Sequence, residues 1–324
     1  VLAWALGMLL SPRCGAAEEW APYRPEREVD GAIRIWGSLP DGWLIEHLEA
    51  GFRRFQPRVT FSEALHGPES TFAGVYTGVA DLAFMAREMR VPMESMAFEW
   101  VHHYKAFEVE IANAGLGPQR PGVSLAVFVH KTNPLQRLTL RQLDGIFGAE
   151  HRRGGRNMRR WADLAGEDGW KDRPIHVYGP PLDDVATLFI RTRVLLDSHK
   201  WNPSYREIPA GWGAVLASVA RDPDGIAFAP PVPGNDRAKV IELAADDGGA
   251  FYALTPQTVA ARTYPLTRVI SVALDRKAGE PLDPKLREFL RYLLSREGQE
   301  AVTSDGVYLP LSAQSAQRQL HRLD

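Results

Sequence analysis

Ser124–Gly148 reads SLAVFVHKTNPLQRLTLRQLDGIFG, and its reading decides the fold. Ser124 to Val129 is an unbroken run of strand length, rich in β-branched and aromatic residues. Asn133-Pro134 interrupts the chain with turn chemistry. Thr139 and Gln142 then stand at capping-box spacing, which predicts a helix that starts there and ends near Phe147. A buried strand passed directly to a capped helix is the repeating unit of α/β domains.

The same alternation extends in both directions. Upstream, Ala32–Trp36 reads as a strand, Gly37-Ser38 as a turn and Asp41 as a candidate N-cap. A helix follows with Leu44, Ile45, Leu48, Phe52 and Phe55 on one face. Val59–Ser62, Asp81–Met85 and Phe107–Ala112 are further strands, with a short helix over Thr71–Thr77. Downstream come a strand at Ile175–Tyr178, a helix from Asp184 to Leu196 and a helix carrying Trp212, Val215, Leu216 and Val219. Strands at Ile226–Ala229 and Val269–Leu274 follow. Leu286, Phe289, Leu290, Leu293 and Leu294 mark a closing amphipathic helix. Gly115, Gly117, Pro118, Pro121 and Gly122 cluster between the two halves and read as a crossing. The expectation is an α/β protein of two lobes with mixed, mainly parallel sheets and a hinge. Residues 30–118 plus 256–324 form lobe one, and residues 119–255 form lobe two. In such sheets ligands sit beyond the carboxyl ends of strands, close to helix N-termini.

The chain has 324 residues, enough for one large or two ordinary domains. Lys and Arg number 38 against 40 Asp and Glu, a formal net charge of −2, so a global basic surface for nucleic acid is absent. One cysteine, Cys14, excludes an internal disulfide framework and any cysteine-based zinc cluster. Val1–Leu10 (VLAWALGMLL) is apolar but shorter than the roughly 20 residues of a spanning helix. With Gly15, Ala16 and Ala17 behind it, residues 1–17 read as a secretory signal, which places the mature chain in the periplasm. Arg13 stands where a small residue precedes a lipidated cysteine, which argues against a lipoprotein.

Motifs for chemistry are missing. There is no G-x-S-x-G elbow, no P-loop and no H-E-x-x-H. His102-His103 are neighbours and so do not share a helix face. No catalytic residue, metal or cofactor is expected. His151–Arg160 (HRRGGRNMRR) carries five arginines and reads as a solvated loop, with a contact to an acidic partner as the other reading. Asp183-Asp184 opens a helix, where a carboxylate caps free N–H groups. The other reading turns the pair toward a cleft, where it repels anions.

Taken in order, these features resemble the periplasmic phosphate-binding proteins of ABC importers. The resemblance runs from about residue 32 to 311. Gly37-Ser38 resembles the family's first ligand loop. Gly67–Arg87 (GPESTFAGVYTGVADLAFMAR) resembles its second loop, short helix and following strand. Ser124–Gly148 is the nearest match, and Trp161-Ala-Asp-Leu with Pro174-Ile175 follows in order. Asp224-Gly-Ile-Ala-Phe228, Tyr264-Pro-Leu-Thr-Arg268 and Leu293-Leu-Ser-x-x-Gly298-Gln299 close the series. The resemblance implies two lobes on a hinge and an oxyanion held between them by hydroxyls, backbone N–H groups, an arginine and a carboxylate.

Four departures bear on the ligand. The second loop's hydroxyl falls on Pro68, with Ser70 and Thr71 beside it. The first loop's threonine falls on Leu39 or Pro40, leaving Ser38. The family's arginine before the third motif falls on Gly179, and its Ser-Gly-Thr falls on Asp183-Asp184-Val185. Arg87 is the surviving cation. A buried anion beside unpaired carboxylates is costly.

The resemblance therefore implies a solute receptor without turnover, for phosphate or another small solute, and the four departures count against phosphate. Its expected ligand residues are Gly37, Ser38, Ser70, Thr71, Arg87, Asp183 and Asp184. Its expected partners are a small-molecule solute and an ABC permease, with no nucleic acid; it works at the membrane periphery as a monomer. Two alternatives stand beside this reading. One is a non-transport scaffold acting through surface contacts with a protein partner. The more distant one is a hydrolase of phosphate esters.

Overall fold

A computed structural model describes residues 19–67, 70–89, 93–117, 124–164, 170, 172–231, 236–304 and 306–324. The signal-like segment 1–17, Pro68, Glu69 and the middle of the Gly115–Gly122 crossing lie outside the described residues.

Alternating buried residues make the first strands. β1 (Gly31–Gly37) buries Ile33 and Ile35 on one face, and α1 (Gly42–Arg53) lays Leu44, Ile45, Leu48 and Phe52 over them. β2 (Val59–Leu65), α2 (Ala73–Tyr76), β3 (Leu82–Met85), α3 (Met93–His102) and β4 (Phe107–Asn113) follow. These strands, with β12 (Val269–Leu274) returning late from the far end of the chain, form a sheet of order β2-β1-β3-β12-β4. β1 runs parallel to β2 and β3, whereas β12 runs antiparallel to both of its neighbours. One face packs on α1 and on α8 (Pro284–Leu293), where Phe289, Leu290 and Leu293 join the core. The other face carries a smaller core in which Phe72, Val75 and Phe98 of the α2 and α3 regions cover Ala83, Met85 and Ala273.

The second lobe repeats the plan. Its strands β5 (Ala126–His130), β7 (His176–Gly179), β8 (Tyr205–Glu207), β9 (Gly225–Ala229) and β10 (Ala238–Val240) take the order β10-β5-β9-β7-β8. β6 (Arg137–Thr139) and β11 (Glu242–Ala244) form a separate parallel pair. α4 (Leu140–Phe147) starts on the capping box expected from sequence: Thr139 Oγ1 accepts from Gln142 N–H, and the Gln142 side chain accepts from Thr139 N–H. α5 (Val185–Arg193) covers one face with Phe189 and Ile190, and α6 (Trp212–Arg221) covers the other with Val215, Leu216 and Val219. Mixed, mostly parallel sheets flanked by helices in two lobes are thus the observed architecture.

Two crossings join the lobes side by side. Ala114 N–H donates to Arg268 O at 2.9 Å and Leu125 N–H to Leu266 O at 3.3 Å. Gly115 is required here, because a Cβ on it would lie 1.3 Å from Val307 O. Tyr264 and Leu266, just before the return crossing, pack in the second lobe's core along with α5.

Three local outcomes differ from the sequence reading. α3 has no counterpart in the expected elements, since its exposed Met93, Trp100 and Val101 blur the amphipathic period. The closing helix ends at Leu293, and Ser295 caps a separate α9 (Arg296–Thr303) by accepting from Gly298 N–H; α10 (Ala313–His321) follows. Asp41 precedes α1 but makes no side-chain cap bond. No described helix is long and apolar enough to cross a membrane.

Candidate ligand site between the lobes

The site loops leave the carboxyl ends of strands. Gly37 ends β1, and Ser38 behind it is buried, its Oγ donating to Asp41 Oδ2 at 2.5 Å. Asp41 therefore serves the loop, while Tyr308 Oη approaches its other oxygen at 3.5 Å. Thr71 is buried and donates to Gly67 O at 2.9 Å; Ser70 Oγ donates to the same carbonyl at 3.2 Å. Arg87, two residues beyond β3, is buried and forks onto Glu94 of α3 at 2.8 and 2.5 Å, with a further bond to Glu88 O. A bidentate guanidinium–carboxylate pair of this kind is strong and directional, and it ties the third loop of lobe one to α3.

In the second lobe β7 ends at Gly179. A Cβ there would lie 2.0 Å from Tyr205 Oη, whose hydroxyl donates to Pro180 O at 2.7 Å. The Tyr205 ring packs against Trp201 and Phe228, so the space that a side chain at 179 needs is filled. Asp184 is the N-cap of α5, accepting from Ala186 N–H at 2.8 Å. Burial pushes its carboxyl above the ordinary aspartate range, and Asp183 adds to the rise while Arg268 opposes it. Asp183 itself is exposed.

Arg268 is the residue the sequence reading missed as a site group. It stands at the return crossing with its side chain 2% exposed, pairs with Glu88 of lobe one at 3.1 Å, and lies 5.1 Å over the Phe189 ring of lobe two. Its signal was present in Tyr264-Pro-Leu-Thr-Arg268, but only the folded chain brings it between the lobes. Arg262 bridges them too: its Nη1 is 2.6 Å from Glu110 and its Nε donates to Asn113 Oδ1, both on β4.

The arginine loop is engaged with its own lobe. Arg152 pairs with Glu150, Arg156 with Asp163 and Arg160 with Asp172; Arg153 bonds Val194 O and Arg193 O; Arg159 bonds Asn202. His176, Asp222 and Asp224 are the group of three among the described residues whose ligand atoms approach within metal-binding range. They sit at the strand ends remote from Gly179, where Arg173 pairs with Asp224 at 2.6 Å and Tyr178 Oη donates to Asp222 at 2.8 Å.

Two α/β lobes, paired crossings and loops converging at strand carboxyl ends define a hinged solute-binding protein. Comparison with known proteins agrees. Residues 123–297 match the PBP superfamily domain. The phosphate-binding protein PstS of Pseudomonas aeruginosa is 30% identical over 302 residues, covering 93% of this chain and 90% of that protein. Among solved structures, PstS from Borrelia burgdorferi aligns with a TM-score of 0.62 at 13% identity, covering 87% of this chain and 99% of that one. An ABC-type phosphate transport receptor from Vibrio cholerae aligns at 0.58 and 18%, covering 86% and 99%.

The chain belongs to the PstS-like family of periplasmic solute-binding proteins of ABC transporters. It is a secreted, periplasmic binding protein without catalytic function.

Proposed function

We propose that the protein captures a small solute other than free phosphate between its lobes and delivers it, as a monomer, to the permease of an ABC importer. The solute is flanked by Gly37-Ser38, Ser70-Thr71 and Arg87 from lobe one and by Asp183-Asp184 from lobe two. The carrying observation is at the second jaw: Tyr205 occupies the space beside Gly179, and Asp184 supplies negative charge at the N-terminus of α5. Helix N-termini favour anionic ligands, and here the chain's own carboxylate holds that place. Relatives named for phosphate supply the transport setting, and the side chains here oppose that anion.

The test is thermal unfolding against phosphate, sulfate, molybdate, amino acids and polyamines. Ligand at a hundred times its Kd stabilises by about 2.7 kcal/mol, which a melting curve resolves. A shift with a solute other than phosphate, on a protein that runs as a monomer in gel filtration, supports the reading. A phosphate shift abolished by Ser38→Ala overturns it.

A further inference from the structure

Arg262 stands where the backbone asks for glycine. α7 (Pro256–Ala260) is capped by Ala261, and Arg262 follows in the left-handed region at φ 57°. Its N–H donates to Val259 O at 2.9 Å, and the next N–H, that of Thr263, reaches back to Thr258 O at 3.0 Å. These two bonds are the Schellman ending of a helix, whose left-handed position is usually glycine and sometimes asparagine. A bulkier side chain is strained there. Arg262 Nη2 is also buried without a hydrogen-bond partner, which costs further free energy. The turn itself gains nothing from arginine, so its use lies in what the side chain reaches.

The side chain reaches the other lobe. The segment that carries it is fastened to lobe two on both sides. Tyr252 and Leu254 before α7, and Tyr264 and Leu266 after it, pack with that lobe's core, and Arg193 of α5 donates to Pro265 O at 3.0 Å. The guanidinium crosses to β4 of lobe one, where Nε donates to Asn113 Oδ1 at 2.9 Å and Nη1 to Glu110 Oε2 at 2.6 Å. Asn113 is a fixed anchor: it is fully buried, its Nδ2 donates to Pro310 O at 2.8 Å, and its N–H and C=O both bond to Leu309. Asn113 also adjoins the crossing at Ala114, whereas Glu110 lies further out along β4. A bond at the pivot and a second bond away from it together fix an angle, which neither does alone.

We propose that Arg262 is a latch between the lobes: pinned at the pivot by Asn113 and held at an angle by Glu110, it keeps the lobes in the relation seen here, and its release lets them turn. A contact made in one arrangement of the lobes and lost in another biases the equilibrium toward the first. This explains why a strained position carries a long cation. The inference concerns the hinge and does not depend on the identity of the solute.

The test is the distribution of distances between the lobes in the full chain without added solute. Pulsed electron resonance reads it from spin labels on Val79→Cys in lobe one and Val240→Cys in lobe two, both exposed positions, with Cys14→Ser removing the one native thiol. The protein with its latch intact should give one narrow distribution at low salt. Arg262→Asn suits the left-handed backbone but is too short to reach β4, and Glu110→Ala removes the outer bond from the other side. Each should add a displaced component to the distribution. Both partners of the ion pair are partly exposed, so 1 M salt, with its screening length of about 3 Å, should shift the latched protein the same way. Arg262→Lys retains the charge and should lie between the latched protein and Arg262→Asn. A purely structural role for Arg262 would lower the melting point and leave the distances unchanged. The same distribution in Glu110→Ala as in the latched protein overturns the proposal, whether or not Arg262→Asn folds.

Discussion

Glu49 is the least comfortable charge in the first lobe. It lies on the buried face of α1 with 1% of its surface exposed, and its Oε1 has no hydrogen-bond partner. Arg53, one turn on, reaches the other oxygen only at 3.4 Å. Burial, with Glu63 and Glu46 nearby, raises its pKa from the ordinary 4.5 to about 8. The folded protein thus holds a proton there that the unfolded chain releases at lower pH. Stability is greatest below pH 4.5 as far as this group is concerned, and it is lost as pH rises toward 8. At about 1.4 kcal/mol per tenfold change in proton affinity, the ceiling is about 5 kcal/mol, part of which is shared with Glu63.

Glu49→Gln keeps the shape and the proton-bearing side while removing the titration. The variant should match wild type near pH 4.5 and exceed it progressively up to pH 8, by a few kcal/mol. Urea unfolding at fixed pH values between 4.5 and 8.5 measures this directly. If wild type and Glu49→Gln show parallel stability profiles across that range, the carboxylate is ionised in the folded protein and the reasoning fails.

Three further outcomes follow from the same structure. Arg87→Ala removes the fork from Glu94 and should cost about 3–5 kcal/mol, whereas Arg87→Met with Glu94→Leu should recover most of it in denaturant unfolding. Thr139→Ala removes the α4 cap and a 2.9 Å bond to Asp247, and should destabilise by about 1 kcal/mol in the same assay. Gly179→Arg puts a cation at the end of β7 but collides with Tyr205, so it should lower the melting point and give no phosphate-induced shift; a phosphate shift in that variant would contradict the packing argument.

Sequence reading reached the parts of the fold that local chemistry specifies. The Thr139–Gln142 box, the apolar stripe of α1, the strand at Ser124–Val129 and the cap at Asp184 all depend on neighbours within one or two turns. It missed what depends on distant packing. α3 hides because three apolar residues face solvent, and β12 could be read as a strand but not as the one inserted antiparallel between β3 and β4. Of the expected site residues, Ser38, Thr71 and Arg87 rest on motif alone. Their pairing with Asp41, Gly67 O and Glu94 is not legible there, and neither is Arg268 as the link between the lobes or Tyr205 as the occupant beside Gly179.

The departures at the two jaws act as one set. On the second jaw, Tyr205 takes the volume of a side chain at 179 and spends its hydroxyl on Pro180 O, while Asp184 satisfies the first turn of α5 from within the chain. On the first jaw, the Ser38 and Thr71 hydroxyls turn to Asp41 and to Gly67 O, and the Arg87 fork turns to Glu94. Donors that an oxyanion would need are thus answered by the protein itself on both sides. The two lobes and their paired crossings are thus kept while the donors of both jaws are taken up within the chain.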